Sequence, residues 1–299
     1  MRSIPPTVKS QLPITATEIS RRSLLSGTVL LGAAGLSMLP APGPRAHAQA
    51  APGPTGSAAT AQVTYVLVPG AWHGGWCWSR VAPLLRAAGA DVFTPTLSGL
   101  GERVNRAARD IDLETHIQDV VNVLEYEDLR GVVLVGHSYA GIVAKGVADR
   151  VPGRLTRVVY LDAFVPQDGQ SLFDLVPPEG RLPLVQDAQA RGDGWLLPAP
   201  PPDHPFLGVT DPDDVRWMIP RLTAQPLQTF MDPVHLAGTG AALPRTYIWC
   251  TRFGAPSPFA PFAARLRNDP SWRFRELASE HDAMITVPRE LAQLLLEPA

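Results

Sequence analysis

Cysteine is scarce in this 299-residue sequence, and neither sign of charge is in clear excess. The only two cysteines, Cys77 and Cys250, lie far apart and outside any C-x-x-C or comparable metal-ligand spacing. The sequence therefore predicts no metal site, and it favours two free thiols over a disulfide. The formal net charge of −2 gives no electrostatic reason to expect nucleic acid or an anionic membrane surface as a partner. We expect a neutral or weakly charged small molecule instead.

Long apolar runs are also missing, and this decides how the N-terminal part is interpreted. Residues 20–25 read S-R-R-S-L-L, a twin-arginine pattern, and the apolar stretch 24–39 is too short and too rich in Gly, Ser and Ala to span a bilayer. Residues 46–48 form an A-x-A cleavage site. We predict a twin-arginine signal peptide at 1–48, export to the periplasm or the medium, and no stable membrane insertion after cleavage.

The remaining chain reads as a disordered linker at 49–61 and one domain at 62–299. Apolar β-branched runs predict strands at 62–68, 91–95, 132–135, 158–161, 246–250 and 272–277. Helical spacing of apolar residues predicts helices at 76–88, 113–129, 139–150, 259–267 and 288–295. Such alternation is typical of an α/β fold with a mainly parallel sheet covered by helices on both faces.

One segment, at about 166–244, does not follow this alternation. It holds 14 of the 32 prolines, which exclude regular sheet and interrupt helices. We predict a Pro-rich cap inserted over the domain, made of short helices and loops.

Residues 136–141 carry the motif that points to chemistry. They read Gly-His-Ser-Tyr-Ala-Gly, which is G-x-S-x-G with Ala140 in place of the second glycine. The motif follows a predicted apolar strand and opens a predicted helix, as a nucleophile elbow must. We predict Ser138 as the nucleophile. The alternative is an ordinary small-residue turn between a strand and a helix.

A serine hydroxyl needs a base to take its proton, and seven histidines are available. His281 lies between the last predicted strand and the final helix, which places it at the same sheet edge as the elbow. His137 is adjacent to Ser138 and would point away from it. We predict His281 as the base. The other histidines leave with the signal peptide or precede the last two strands, and these are His47, His73, His116, His204 and His235.

A third residue should hold the imidazole in the right tautomer. The usual place is the loop after the penultimate strand, but residues 251–260 contain neither Asp nor Glu. Asp162 follows the predicted strand 158–161 and keeps the chain order Ser, Asp, His. We predict Asp162 as the acid. It could instead cap a loop or pair with an arginine, and the weaker alternatives are Asp269, Glu276 and Glu280.

Acyl transfer also needs two backbone donors for the developing oxyanion. We predict the amides of Tyr139, which follows the nucleophile, and of Ala71, which follows the turn at Gly70. His73 either touches the substrate or orders this loop. Hydrophobic bulk in the cap and its approach predicts a compact apolar pocket, and it comes from Phe164, Phe173, Trp195, Phe206, Trp217, Met218 and Phe230. The predicted substrate contacts are Trp72, His73, Phe164, Trp195 and Trp217.

Several segments together resemble one branch of the α/β-hydrolases, that of plant methyl esterases, the salicylate-binding esterase and hydroxynitrile lyases. The matching segments are V-L-V-P-G-A-W-H-G-G-W-C-W (66–78), G-L-G-E-R (99–103), G-H-S-Y-A-G (136–141) and H-D-A-M (281–284). Y-L-D-A-F-V-P (160–166) resembles bacterial esterases of this branch. The resemblance implies an α/β-hydrolase fold, a Ser-His-Asp triad, an oxyanion hole at the amides predicted above, and no cofactor.

The sequence departs from the branch at three places. Pro69-Gly70 stands where the family has His-Gly, Ala140 replaces the second elbow glycine, and the acid after the penultimate strand is missing. The first two changes leave the backbone donor and the turn intact. The third change, the missing acid, leaves Asp162 as the predicted acid of the triad.

Hydrolysis of a small to medium, apolar or aromatic carboxylic ester through an acyl-enzyme fits these features best. A hydroxynitrile lyase of this branch would place lysine directly after the catalytic histidine, but this chain has Asp282, whose charge opposes a cyanide leaving group. A lactonase or amidase would use the same residues. A non-catalytic ligand-binding protein is the alternative from a different class.

Overall fold

The computed structural model describes residues 62–202, 204, 206–253 and 257–298. The predicted signal peptide at 1–48 and the predicted linker at 49–61 lie outside the described residues. In the part that is described, no helix is both long enough and apolar enough to cross a membrane.

The strands form a central parallel sheet and a small ladder in the cap. In chain order they are β1 (Thr64–Val68), β2 (Asp91–Phe93), β3 (Val132–His137), β4 (Leu155–Leu161), β5 (Leu196–Leu197), β6 (Gln225–Pro226), β7 (Arg245–Cys250) and β8 (Trp272–Leu277). Six of them pair in the order β2-β1-β3-β4-β7-β8, and every pair is parallel. All their carboxyl ends therefore meet at one edge of the sheet, where sites form in such folds.

Helices cover both faces of this sheet. In chain order they are α1 (Ala82–Ala87), α2 (Leu113–Tyr126), α3 (Ala140–Arg150), α4 (Leu172–Leu175), α5 (Pro178–Arg191), α6 (Pro212–Met218), α7 (Gln228–Met231), α8 (Ala260–Leu266), α9 (Ala283–Thr286) and α10 (Pro288–Leu296). Alternation along β1 divides the core, because successive side chains in a strand point to opposite faces. Val66 and Val68 pack with α2, α3 and α8, whereas Tyr65 and Leu67 pack with α1 and α10. The cluster around Tyr65 and Leu67 also contains Cys77 and Cys250. Both are free thiols, which the sequence favoured over a disulfide.

The single helix predicted at 76–88 is divided in two. Residues Gly75–Trp78 form a 3₁₀ turn, and α1 begins at Ala82. Pro83 explains the interruption, because it has no N–H to donate to a preceding carbonyl and is tolerated only in the first turn of a helix.

The cap is more regular than proline content predicted. It contains the 14-residue helix α5, with Pro183 inside it, and β5 pairs with β6 in an antiparallel ladder. The expectation of short helices and loops alone was therefore wrong. Pro226 is tolerated in this ladder because each strand has only two residues and an unpaired edge. A residue on such an edge does not need its N–H for a hydrogen bond to another strand.

Candidate active site

The turn between β3 and α3 holds Ser138 in a backbone conformation that L-residues rarely adopt. Its φ is 55°, in the left-handed region, as expected for the strained turn of a nucleophile elbow. The end of β4 fixes this turn from the side. The Ser138 amide donates to the carbonyl oxygen of Leu161 at 3.1 Å, and the Phe164 amide donates to the Ser138 carbonyl at 3.2 Å. The hydroxyl is thereby aimed out of the sheet edge.

Three glycines allow the chain to approach this turn closely. A Cβ at Gly136 would lie 2.5 Å from the carbonyl oxygen of Ala140, and one at Gly141 would collide with the carbonyl oxygen of Phe164. A Cβ at Gly70 would lie 2.9 Å from the Cβ of Ser138. Real side chains do not tolerate such distances, so these positions need glycine for space and not for a turn conformation.

Three of the predicted side chains meet at the carboxyl edge of the sheet. Nε2 of His281 lies 2.9 Å from Oγ of Ser138, and Nδ1 of His281 lies 2.7 Å from Oδ2 of Asp162. An ionised carboxylate only accepts hydrogen bonds, so Nδ1 carries the proton and Nε2 is left to accept from the serine hydroxyl. All three residues are buried, with Ser138 3% exposed and His281 2% exposed.

Asp162 is held by the neighbouring strand as well as by the histidine. Its amide donates to the Ile248 carbonyl at 2.7 Å, and its Oδ1 accepts from the Cys250 amide at 3.3 Å. Burial raises the pKa of the Asp162 carboxyl above its usual value, although the hydrogen bond from His281 opposes the shift. Of the alternative acids, Asp269 accepts hydrogen bonds from Ser271 at a half-buried position.

The two amides predicted to stabilise an oxyanion belong to buried residues on either side of the serine. Neither Ala71 N–H nor Tyr139 N–H donates a hydrogen bond to another described residue. The cap holds the Ala71 loop through Trp72, whose amide donates to Oε1 of Gln225 at 3.2 Å and whose indole N–H donates to the Leu197 carbonyl at 3.2 Å. The ladder β5–β6 thus contacts the loop directly.

A buried histidine that the sequence did not assign to the site anchors Tyr139. The Tyr139 hydroxyl lies 2.9 Å from Nδ1 of His116, and Nε2 of His116 lies 2.9 Å from the Ser98 carbonyl oxygen. Nε2 must donate to that carbonyl, so Nδ1 accepts from the phenol. Burial lowers the pKa of His116 to about 4, which keeps the ring neutral in this arrangement. The one available signal was its position among the apolar residues of a predicted helix.

A second group that sequence analysis did not assemble lies beside His281. The Asp282 carboxylate is fully buried, 3.5 Å from Nε2 of His73 and 3.8 Å from Nε2 of His137. Nδ1 of His73 lies 2.8 Å from the Ala71 carbonyl oxygen, so His73 orders its own loop. Nε2 of His137 lies 3.1 Å from the His281 carbonyl oxygen.

Aromatic rings enclose the imidazole of His281. Phe259 stacks on it with ring centroids 4.7 Å apart and an 11° angle between the planes, and Phe206 and Phe253 lie 4.9 and 5.8 Å away. Two of the predicted substrate contacts touch this enclosure. Trp72 packs edge-on against Phe206 at 5.9 Å, and Phe164 packs against Phe259 at 4.9 Å.

The other two predicted tryptophans pack against arginines. Arg109 lies 5.3 Å from the ring of Trp195, which lines a cavity of about 300 Å³ with residues of α5 and α7 and without Ser138 or His281. Arg80 and Arg221 lie 4.9 and 5.0 Å from the ring of Trp217. Their role in substrate binding stays a prediction.

One group of side chains in the described part of the chain has the spacing of metal ligands. Atoms of His137, His281 and Asp282 lie within 4.8 Å of one another. Both ring nitrogens of His281 already contact Ser138 and Asp162, so a metal ion here would have to displace those hydrogen bonds. That the chain uses no metal or cofactor stays a prediction.

Comparison with known proteins decides the family. The sequence model of the Alpha/beta hydrolase family matches residues 65–294. The chain belongs to this family. This α/β-hydrolase is 42% identical over 240 residues to a carbendazim hydrolyzing esterase of Nocardioides sp. (strain SG-4G), an alignment that covers 77% of this chain and 97% of the relative. It is 37% identical over 251 residues to methylesterase 9 of Arabidopsis thaliana, covering 79% of this chain and 97% of the relative.

Solved structures agree with the sequence relatives. An extracellular α/β-hydrolase from a Paenibacillus species superposes on this α/β-hydrolase with a TM-score of 0.70 and 27% identity, covering 78% of this chain and 98% of the other. That protein is described as sharing structural and functional homology with tobacco salicylic acid binding protein 2. The predicted fold and branch are confirmed, and the relatives support esterase activity for this α/β-hydrolase.

Proposed function

We propose that this α/β-hydrolase cleaves a small to medium, apolar or aromatic carboxylic ester through an acyl-enzyme on Ser138. The observation that carries the proposal is the continuous hydrogen-bonded chain from Ser138 Oγ through His281 to Asp162. Serine, histidine and aspartate in this geometry activate a hydroxyl that is otherwise a poor nucleophile.

Each residue then has one role. Ser138 Oγ attacks the ester carbonyl while its proton passes to Nε2 of His281, and the amides of Ala71 and Tyr139 stabilise the tetrahedral oxyanion. The C–O bond to the leaving group breaks, and His281 returns the proton to the departing alkoxide. Water repeats the sequence on the acyl-enzyme and releases the acid. Asp162 keeps the proton of His281 on Nδ1 and stabilises the imidazolium that forms at each step.

The proposed substrate class rests on the enclosure of His281. Phe206, Phe253 and Phe259 offer flat apolar surface beside the base, which suits an aromatic or short apolar acyl or alcohol group. The relative named as a carbendazim hydrolyzing esterase makes carbendazim a reasonable test compound. A hydroxynitrile lyase is disfavoured because Asp282 stands where such a lyase would have a lysine, so the positive charge that would stabilise cyanide is missing from this position.

The test is hydrolysis of p-nitrophenyl esters of increasing acyl length, with carbendazim and a simple lactone beside them. We expect turnover of short or aromatic esters, and loss of kcat by a factor of about 10⁴ or more in Ser138→Ala. The exposed Ser79 provides the matched control, and Ser79→Ala should keep wild-type kcat. Turnover of the lactone alone would replace the esterase proposal by a lactonase, and failure of every compound would leave a ligand-binding protein as the better reading.

A further inference from the structure

A fully buried carboxylate, Asp282, directly follows the proposed base and has no hydrogen bond of normal length among the described residues. The polar atoms nearest to it are Nε2 of His73 at 3.5 Å and Nε2 of His137 at 3.8 Å. An unbalanced charge at such a site is strongly destabilising, so one imidazole must compensate it or the carboxyl must be protonated.

The geometry identifies His73 as the group that compensates this charge. Its Nδ1 lies 2.8 Å from the Ala71 carbonyl oxygen, which only accepts, so Nδ1 carries a proton. Its Nε2 faces a carboxylate, which also only accepts when ionised, so a proton on Nε2 is favoured too. Burial lowers the pKa of His73, but the Asp282 charge and the Ala71 carbonyl outweigh it and raise the pKa above its usual value. Correspondingly, burial raises the pKa of Asp282, but His73 outweighs it and lowers the pKa below its usual value.

His137 takes a different part in the group. Its Nε2 lies 3.1 Å from the His281 carbonyl oxygen and donates to it, which leaves Nδ1 unprotonated in a neutral ring. Burial and the neighbouring His281 hold the pKa of His137 well below its usual value, so the ring stays neutral. His137 therefore supports the backbone of the base, and only His73 supplies positive charge to Asp282.

We propose that the His73 imidazolium and the Asp282 carboxylate form a buried ion pair that positions the Ala71 amide relative to His281. His73 holds the carbonyl of Ala71, and Asp282 is the neighbour of the base, so the pair joins the oxyanion loop to the histidine loop across the sheet edge. The inference rests on the proposed function. Both residues are positioning residues, since neither hydrogen-bonds to Ser138 in the described part of the chain and neither carries a reacting proton.

The protonation state is tested first, by NMR of ring-¹⁵N-labelled histidines near pH 7, with His73→Gln to assign the signal. We expect His73 to show protons on both ring nitrogens, and Asp282→Asn to convert it to a neutral ring. A neutral His73 in the wild-type protein would overturn the ion pair. This measurement needs no enzymatic turnover, so it stands even where the proposed function fails.

Kinetics then separate a charge from a mere hydrogen bond. The substitution Asp282→Asn keeps the side-chain shape and one oxygen acceptor. If Asp282 acted only as a hydrogen-bond acceptor, kcat would be nearly unchanged. We expect Asp282→Asn to lower kcat roughly 10- to 100-fold, less than loss of an oxyanion donor, with KM within about threefold. Asp128 is exposed and pairs with Arg154, so Asp128→Asn is the matched control and should keep wild-type kinetics. Wild-type kcat in Asp282→Asn would overturn the positioning role.

A double variant keeps the test decisive where the single variant folds poorly. His73→Gln combined with Asp282→Asn removes both charges, so no unpaired charge stays buried. We expect the double variant to melt at a higher temperature than either single variant while kcat stays low. A double variant with wild-type kcat would show that the pair contributes to folding alone and would overturn the proposal.

Discussion

The carboxyl edge of the sheet and the cap at 166–244 both contact His281, but they hold it by different means. The edge uses directional side-chain hydrogen bonds, as between His281 Nδ1 and Asp162 Oδ2, and it packs tightly against Gly141. The cap contributes an aromatic face, Phe206, which has no directional bond to the imidazole ring. We infer that the edge determines whether the reaction proceeds, and that the cap determines which substrate fits. Substitutions in the two regions should therefore affect different measured quantities.

Among the substitutions that compare the two regions, the largest effect is expected for the proposed acid at the sheet edge. Asp162→Asn keeps the side-chain shape but favours the wrong histidine tautomer, so kcat should fall roughly 10²- to 10⁴-fold with little change in KM. The measurement is steady-state hydrolysis of a p-nitrophenyl ester. Asp269→Asn, at a half-buried position where Asp269 accepts from Ser271, is the control and should retain full activity. Near wild-type kcat in Asp162→Asn would mean that another carboxylate orients His281.

The next effect compares the same substitution on one helix of each region. Gly141→Ala in α3 drives a Cβ into the backbone carbonyl of Phe164, and we expect a loss of about 2–4 kcal/mol in the free energy of unfolding. Gly180→Ala in α5 meets only a methyl group of Val176 and gains helix propensity, so the change should stay within about 1 kcal/mol. Urea unfolding measures both. Equal losses would remove the distinction in packing between edge and cap.

The smallest effect concerns substrate fit. Phe206→Ala removes a ring beside His281 without touching its hydrogen bonds, so KM for an aromatic ester should rise about tenfold while kcat stays within about threefold. The acetate ester serves as the comparison, because it is too small to use the whole apolar face. A fall in kcat equal to that of Asp162→Asn would show that the cap also positions the residues proposed to catalyse the reaction.

Much of the sheet edge could be predicted because its signals are local. The apolar run before 136–141 and the small residues within it predict the elbow, and the absence of an acid in 251–260 leaves Asp162 as the nearest earlier candidate. The structure brings Asp162 within hydrogen-bonding distance of His281 because β4 and the loop after β8 end at the same edge of a parallel sheet.

The supports of the site could not be predicted, because their partners are distant in sequence. The side chain of His116 on α2 reaches that of Tyr139 in the turn before α3, and His73 and Asp282 lie more than 200 positions apart. Asp282 was interpreted only as a charge near a leaving group, since nothing in the sequence places it against His73. The β5–β6 ladder was missed for a related reason, because two-residue strands are too short for any alternation pattern.

The strand order has a consequence for how the protein becomes active as it folds. Ser138 and His281 are 143 positions apart, and the loop that carries His281 follows β8, which joins the sheet beside β7. Closing such long loops is slow compared with local pairing. In the proposed mechanism, β1 to β4 are enough to place the nucleophile Ser138, but the base His281 follows β8. If the proposed mechanism holds, we expect partly folded chains to be inactive and ester cleavage to require the last strand.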